Sequence, residues 1–281
     1  MPYFIQLKSL ERVFLFKTIK NKMNNLSWDK IYPLWGISRS MFFNYLSGKY
    51  PIPENLFYEL EKITGIRIED TTRIEQVKYI EKEIKEPILD NNLSEILGIL
   101  NGDGHLGPTN SEISVVGNHL EKDYYNYLKV LFEEKFGIRF NIELRDNYFK
   151  LRTYSKKLMK LLHQDYKLPL GNKMGQLRIP LQVKNNQEFL KAYLRGLFDT
   201  DGCFHIRRKK DPMIVITSAD KRFLSEVKNS LVTLGFHVSK GDKRIFLYRL
   251  KEVIKFFEEI KPANSKHLKK FELYQNSALL V

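Results

Sequence analysis

Leu194-Arg195-Gly196-Leu197-Phe198-Asp199-Thr200-Asp201-Gly202 decides how the rest of this 281-residue chain is read. Phe189, Tyr193, Leu194, Leu197 and Phe198 recur at helical spacing, so the stretch is the end of an apolar helix. Gly202 stands where a φ > 0 residue commonly stops a helix. Asp201 therefore sits at a helix C-terminus, where unpaired carbonyls carry partial negative charge and disfavour a carboxylate by roughly 0.3–1 kcal/mol. A nearby cation would reverse that sign. Upstream, Ile96-Leu97-Gly98-Ile99-Leu100-Asn101-Gly102-Asp103-Gly104 has the same design, with Asp103 placed 98 residues before Asp201.

The segments C-terminal to the two stretches repeat as well. After Gly104 come a strand at 111–116, a helix from Lys122 to Phe136 closed by Gly137, a hairpin of 139–145 and 148–154 about Asp146-Asn147, and a helix from Lys156. After Gly202, residues 203–208 and 213–217 form a hairpin, and Lys221 to Leu234 a helix ended by Gly235. His237–Ser239 and 243–249 make a second hairpin, followed by a helix from Glu252. The expected fold class is α+β, with two αββαββα units related by a pseudo-two-fold axis. Small residues four apart, Gly98 with Gly102 and Gly196 with Thr200, would let the two helices approach closely along those faces.

The first 65 residues read differently. Helices are expected near 14–23, 28–35, 39–46 and 54–63, separated by Gly36 and by Gly48-Lys49-Tyr50-Pro51, with Ser27 and Ser38 as N-caps and Pro53 at a first helical position. This predicts a small all-α domain over 1–68, a charged helical connector over 69–90, and repeat units over 91–182 and 183–281.

The formal charge of +14, from 47 basic and 33 acidic residues, favours a polyanionic partner, nucleic acid first. Of these residues, 33 basic and 22 acidic ones lie beyond Glu86, so most of the excess belongs to the repeat. The single cysteine, Cys203, excludes an internal disulfide and a multi-cysteine zinc site, and is expected to be a small buried hydrophobe. The six histidines are scattered without metal-ligand spacing. No apolar run reaches the ~18 residues of a membrane span and no signal peptide is evident, so a cytoplasmic, nucleoid-associated protein is expected.

The two Asp-Gly stretches resemble the paired motifs of the LAGLIDADG homing endonuclease family in its single-chain, two-motif form, over roughly Leu93 to Phe271. The resemblance implies saddle-shaped antiparallel sheets and a monomer that cuts a long double-stranded DNA site with Mg²⁺ or another divalent cation such as Mn²⁺. It assigns Asp103 and Asp201 as metal-binding, catalytic acids. Two adjacent carboxylates repel unless cations lie between them, and Mg²⁺ takes a few carboxylates while keeping waters and phosphate oxygens. Asn101 departs from the acid found at Asp199, which touches a helix-end contact more than a metal ligand. Gly171-Asn172-Lys173 before Leu177-Arg178-Ile179-Pro180 resembles the family segment carrying a basic active-site residue, Lys173. Lys266, in Asn264-Ser265-Lys266-His267, is read as its opposite number.

The DNA surface is expected on polar strand faces: Arg139, Asn141 and Arg145 with Lys150 and Arg152 in the first unit, and His205, Arg207 and Lys209 with Lys243 and Arg249 in the second. Phe140, Ile142 and Leu144 should face inward. Leu26-Ser27-Trp28-Asp29 through Tyr45-Leu46-Ser47-Gly48-Lys49 resembles the phage-repressor (Cro/cI-like) helix-turn-helix family. In that reading Ile37, Phe42 and Leu46 pack inward, while Arg39, Ser40 and Asn44 face the major groove. A DNA-binding transcription regulator and an intron RNA maturase stand as alternatives to the nuclease. Protein splicing is disfavoured by Met1 and by Leu279-Leu280-Val281 at the ends.

Overall fold

The computed structural model describes residues 3–68, the backbone of 71–74, and residues 83–208 and 211–278. The chain divides into two compact units, Met1–Ile80 and Glu81–Val281.

The N-terminal unit runs β1 (Phe4–Leu7), α1 (Ser9–Lys22), α2 (Trp28–Ile31), α3 (Arg39–Leu46), β2 (Ile52–Pro53), α4 (Glu54–Thr64) and β3 (Thr71–Ile74). Its core gathers around Phe42, whose ring lies 5.8 Å from Phe16, 5.1 Å from Trp28 and 5.8 Å from Trp35. Ile37 and Leu46 are partly buried against that core. The Ser38 hydroxyl accepts from the Met41 N–H at 3.3 Å, the expected cap of α3. Two expectations change. The helix foreseen over 28–35 becomes α2 plus a 3₁₀ turn, Tyr32–Trp35, because Pro33 has no N–H to donate. The unit is not all-α, because β1 pairs antiparallel with β2 and with β3. Only Ile5 and Leu7 of β1 point inward, too few for periodicity to declare a strand. Of the helical connector, 69–70 and 75–82 lie outside the described residues; 71–74 form β3, and 83–89, which include Pro87, form no helix.

The second unit opens with α5 (Asn91–Asn101), β4 (Gly104–Leu106), β5 (Glu112–Asn118), α6 (Lys122–Phe136), β6 (Asn141–Arg145), β7 (Tyr148–Tyr154) and α7 (Lys156–Gln164). A short helix, α8 (Leu181–Lys184), leads to the same order again: α9 (Gln187–Asp201), β8 (Gly202–Arg207), β9 (Asp211–Thr217), α10 (Lys221–Thr233), β10 (Ser239–Lys240), β11 (Arg244–Leu247) and α11 (Leu250–Glu259), closed by α12 (Ser265–Ala278). Both sheets are antiparallel with equivalent strand orders, β4-β5-β7-β6 and β8-β9-β11-β10. The two αββαββα halves share one hydrophobic core.

At its centre α5 packs against α9. A Cβ on Gly98 would lie 2.0 Å from the Tyr193 carbonyl oxygen, and one on Gly196 would lie 2.2 Å from that of Glu95. One on Gly102 would meet Thr200 Oγ1 at 2.0 Å. The small residues therefore do what their spacing suggested: they allow backbone-to-backbone contact. A charged clamp fixes the register of the pair. Arg195 Nη1 donates to the buried Glu95 carboxylate at 2.9 Å, the Tyr127 hydroxyl donates to the same group at 2.7 Å, and Arg195 Nε donates to the Ile260 carbonyl at 3.0 Å.

The helix stops differ from expectation. Gly202 has φ −92° and Gly102 φ −74°, neither left-handed. Glycine is needed at 202 for space: a Cβ there would sit 2.4 Å from the Phe198 carbonyl oxygen. Leu144, expected inside, is 63% exposed, near the end of β6, which is an edge strand.

Candidate active site and nucleic-acid interface

Because α5 and α9 are packed in register, their C-terminal ends bring Asp103 and Asp201 into one electrostatic neighbourhood. Burial pushes the Asp201 carboxyl up to about 6, and the charge of Asp103 adds to the shift, while Lys173 and Lys266 oppose it. Asp103 is raised for the same first reason, burial, with Lys266 and Lys173 pulling it back and Glu121 adding repulsion. The site is thus two half-buried acids held against two lysines.

The lysines serve it differently. Lys173 Nζ donates to the carbonyls of Leu100 (3.0 Å), Asn101 (3.2 Å) and Gly102 (2.6 Å). It is the cation that reverses the sign at the end of α5. Burial pulls its ammonium below the ordinary lysine value, against the pull of Asp201 and Asp103. Lys266 Nζ instead lies 3.3 and 3.4 Å from the two oxygens of Glu121, which also accepts from Asn264 Nδ2 at 2.6 Å.

Asn101 and Asp199 each anchor the segment that carries or precedes the next helix. Asn101 Nδ2 donates to the Arg178 carbonyl (2.8 Å) and the Tyr193 hydroxyl (2.6 Å), and Asp199 Oδ2 accepts from the Ala263 N–H (2.8 Å). Lys173 and Lys266 both act electrostatically on Asp103 and Asp201, from different local partners.

Asp199 has a second consequence. Fully buried, with Oδ1 lacking a hydrogen-bond partner, its carboxyl is pushed up to about 7 by burial. The folded value exceeds the unfolded one, so this group's contribution to stability is full below about pH 4 and is lost as pH rises through about 7. Asp199→Asn should therefore flatten the fall in Tm between pH 5 and pH 8. Parallel melting curves in a variant that still falls as steeply as the wild type would refute this.

Glu121 was not foreseen. It occupies the N-cap position of α6, where Asp220 stands for α10. Asp220 accepts from the N–H groups of Arg222 and Phe223, whereas Glu121 makes no such side-chain cap and turns to Lys266 and Asn264. Alignment of the two repeats would have exposed that pair of acids.

The outer faces of the sheets are charged in unequal ways. On the first, Lys150 pairs with Glu112 (2.5 Å), Arg152 pairs with Glu143 and with Glu112 (3.9 Å), and Arg145 pairs with Glu143 (3.2 Å). On the second, Arg207 and Arg244 are exposed and, among the described residues, have no carboxylate within ion-pair distance. His205 is half-buried beside them, its imidazole pushed down by burial first and by Arg207. Lys243 and Arg249 flank β11 and are exposed; Lys209 lies outside the described residues. Cys203, expected inside, is exposed on β8 because the strand's alternation turns Phe204 inward instead. In the N-terminal unit Ser40 is exposed and Asn44 half-buried, whereas Arg39 Nε is bonded to Asp29 at 2.9 Å and its guanidinium lies 5.2 Å over Phe43.

Among the described residues no three or more His, Cys, Asp or Glu side chains gather as a metal cage. Two hard carboxylates alone suit a cation that draws most of its ligands from water and phosphate, as Mg²⁺ does, and do not suit a closed zinc site. No described helix is long and apolar enough to cross a membrane.

A glutamine–fructose-6-phosphate aminotransferase [isomerizing] of Methanocaldococcus jannaschii is 29% identical to this chain over 237 residues, 80% of the chain and 21% of that protein. A DNA polymerase of Thermococcus litoralis is 26% identical over 189 residues, 62% of the chain and 11% of the polymerase. The chain thus spans a minor part of each. Among solved structures, mesophilic variants of the homing endonuclease I-DmoI give a TM-score of 0.43 at 21% identity, covering 60% of this chain and 94% of that one. The LAGLIDADG meganuclease I-AabMI bound to uncleaved DNA gives 0.45 at 11% identity (68% and 91%), and the N-terminal LAGLIDADG domain of DUF199/WhiA gives 0.41 at 14% (62% and 85%). Residues 188–261, from the first turn of α9 to just past α11, match the family model described as a LAGLIDADG-like domain.

Proposed function

We propose that this chain is a homing-type endonuclease that hydrolyses double-stranded DNA with a divalent cation. The observation that carries the reading is the pair Asp103 and Asp201, half-buried at the ends of packed helices, both carboxyls raised by burial and Asp201 raised further by the charge of Asp103. Such a pair is costly to keep without a cation and a phosphate to receive. Asp103 and Asp201 would hold Mg²⁺ or Mn²⁺, which supplies, when bound, an acidified water and charge neutralisation at the phosphorus. One chain provides both acids, so a monomer suffices.

The protein's own residues supply the rest. Lys173 fixes the end of α5 and, with Lys266, sets a positive field where charge develops on the phosphate oxygens. Glu121 and Asn264 hold Lys266 in place. The outer faces of both sheets lie along the duplex, with Arg207 and Arg244 on phosphates or base edges. The N-terminal unit adds a helix-turn-helix contact through α3.

Incubating a randomised duplex library with Mg²⁺ and sequencing the cut ends tests the reading: a single recurring site is expected. Sequence-specific binding with no nicking at any Mg²⁺ or Mn²⁺ concentration would instead make the chain a DNA-binding regulator. On the recovered site, Lys173→Met should slow single-turnover cleavage on the order of 10²-fold, with binding changed far less; equal losses in both would assign Lys173 to binding alone.

A further inference from the structure

Beside the first sheet, α6 and the edge strand β6 enclose an open cleft of about 340 Å³. Lys122, Asn126 and Lys129 line it from one face of α6, at helical spacing, and Arg139 and Asn141 line it from the β6 side over a floor that includes Tyr125. Among the described residues none of these three cations has a carboxylate within ion-pair distance, and no acid lines the cleft.

The second half provides an internal comparison. The 98- to 99-residue repeat places Lys221, Ser225, His237 and Ser239 where the first half has Lys122, Asn126, Arg139 and Asn141. There the polar groups close on one another: Lys221 pairs with Asp242, Lys240 Nζ donates to Ser225 Oγ at 2.6 Å, and His237 Nδ1 lies 3.1 Å from Glu252 Oε1. In the first half these positions hold two cations, Lys122 and Arg139, and two amides, Asn126 and Asn141, and all four line the open cleft. Three cations converging with two amides on a concave surface complement a multiply charged oxyanion: each N–H donor finds an acceptor, and no buried carboxylate must be displaced.

We infer that this cleft is a phosphate subsite of the first half, taking successive phosphate groups of a nucleic-acid backbone or the polyphosphate of a nucleotide. The subsite stands on the cleft itself; only its nucleic-acid arm leans on the endonuclease reading.

The test uses the full chain in EDTA with sodium tripolyphosphate as the probe, monitored by calorimetry. Saturable one-to-one binding is expected, weakened about tenfold by Lys129→Gln and again by Arg139→Gln, and unaffected by Lys228→Gln at the equivalent position of α10. Melting curves of each variant confirm that it is folded. In parallel, the salt dependence of duplex affinity is measured. A slope reduced by roughly 0.9 per cation removed identifies nucleic-acid backbone as the source, and an unchanged slope with intact tripolyphosphate binding identifies a free nucleotide. Tripolyphosphate binding in a chain that neither binds nor cuts DNA would keep the subsite and remove the endonuclease reading. Absent or stoichiometrically undefined binding, or binding indifferent to Lys129 and Arg139, overturns the proposal.

Discussion

Asp103→Asn and Asp201→Asn are each expected to reduce Mg²⁺-dependent cleavage by on the order of 10³-fold or more, while duplex affinity stays the same or rises. The asymmetry comes from charge. Each carboxylate repels the phosphates it must face, so its removal relieves the bound state even as it removes a cation ligand. Single-turnover cleavage and filter binding on the same site separate the two effects. Cation affinity should also fall as pH drops through about 6, because Asp201 takes up a proton there and the proton competes with the metal. The variant carries a stability signature as well. The Asp201 value is higher folded than unfolded, so its contribution is full below about pH 4 and is lost as pH rises through about 6. In EDTA at pH 8, Asp201→Asn should melt above the wild type, and at pH 4 the difference should vanish. A variant that cleaves normally, or one that melts lower at pH 8, would place Asp201 in the framework of the fold and not in its chemistry.

The second large effect belongs to the helix pair. Gly98→Ala and Gly196→Ala each add a single methyl group, yet that carbon would stand 2.0 and 2.2 Å from backbone carbonyl oxygens of the facing helix. Backbone cannot rotate away as a side chain can, so α5 and α9 must separate along their whole contact. The expected cost is about 3 kcal/mol or more, with cleavage lost in parallel because the two acids part. Gly241→Ala is the control: its nearest neighbour is Phe246 Cε2 at 3.3 Å, the edge of a side chain, and its cost should stay below about 1 kcal/mol. Urea titration of the three variants decides. Equal midpoints would show that the glycines are not what holds the helices together.

Much of this was legible in the chain. The helical spacing around Leu97 and Leu194, the two Asp-Gly endings and the repeat of αββαββα specified both halves and their symmetry, because periodicity is a local property that survives into the folded state. The small residues four apart announced a close helix contact for the same reason. The four-residue strand β1 was not legible, since two inward side chains do not make a pattern. The glycine at 202 is legible in its position but not in its reason, which is the ring and carbonyl of Phe198 and not a left-handed turn.

Sequence alone therefore determined which residues form the paired helices and that an acid ends each of them. Only the tertiary structure decided what surrounds those acids. Glu121 is 143 residues from Asn264, and Lys173 is 71 to 73 residues from the carbonyls it caps. Nothing in a local pattern encodes such pairings. They arise because burial of the shared core carries distant segments to the ends of α5 and α9, where the unpaired carbonyls and carboxylates then select the cations within reach.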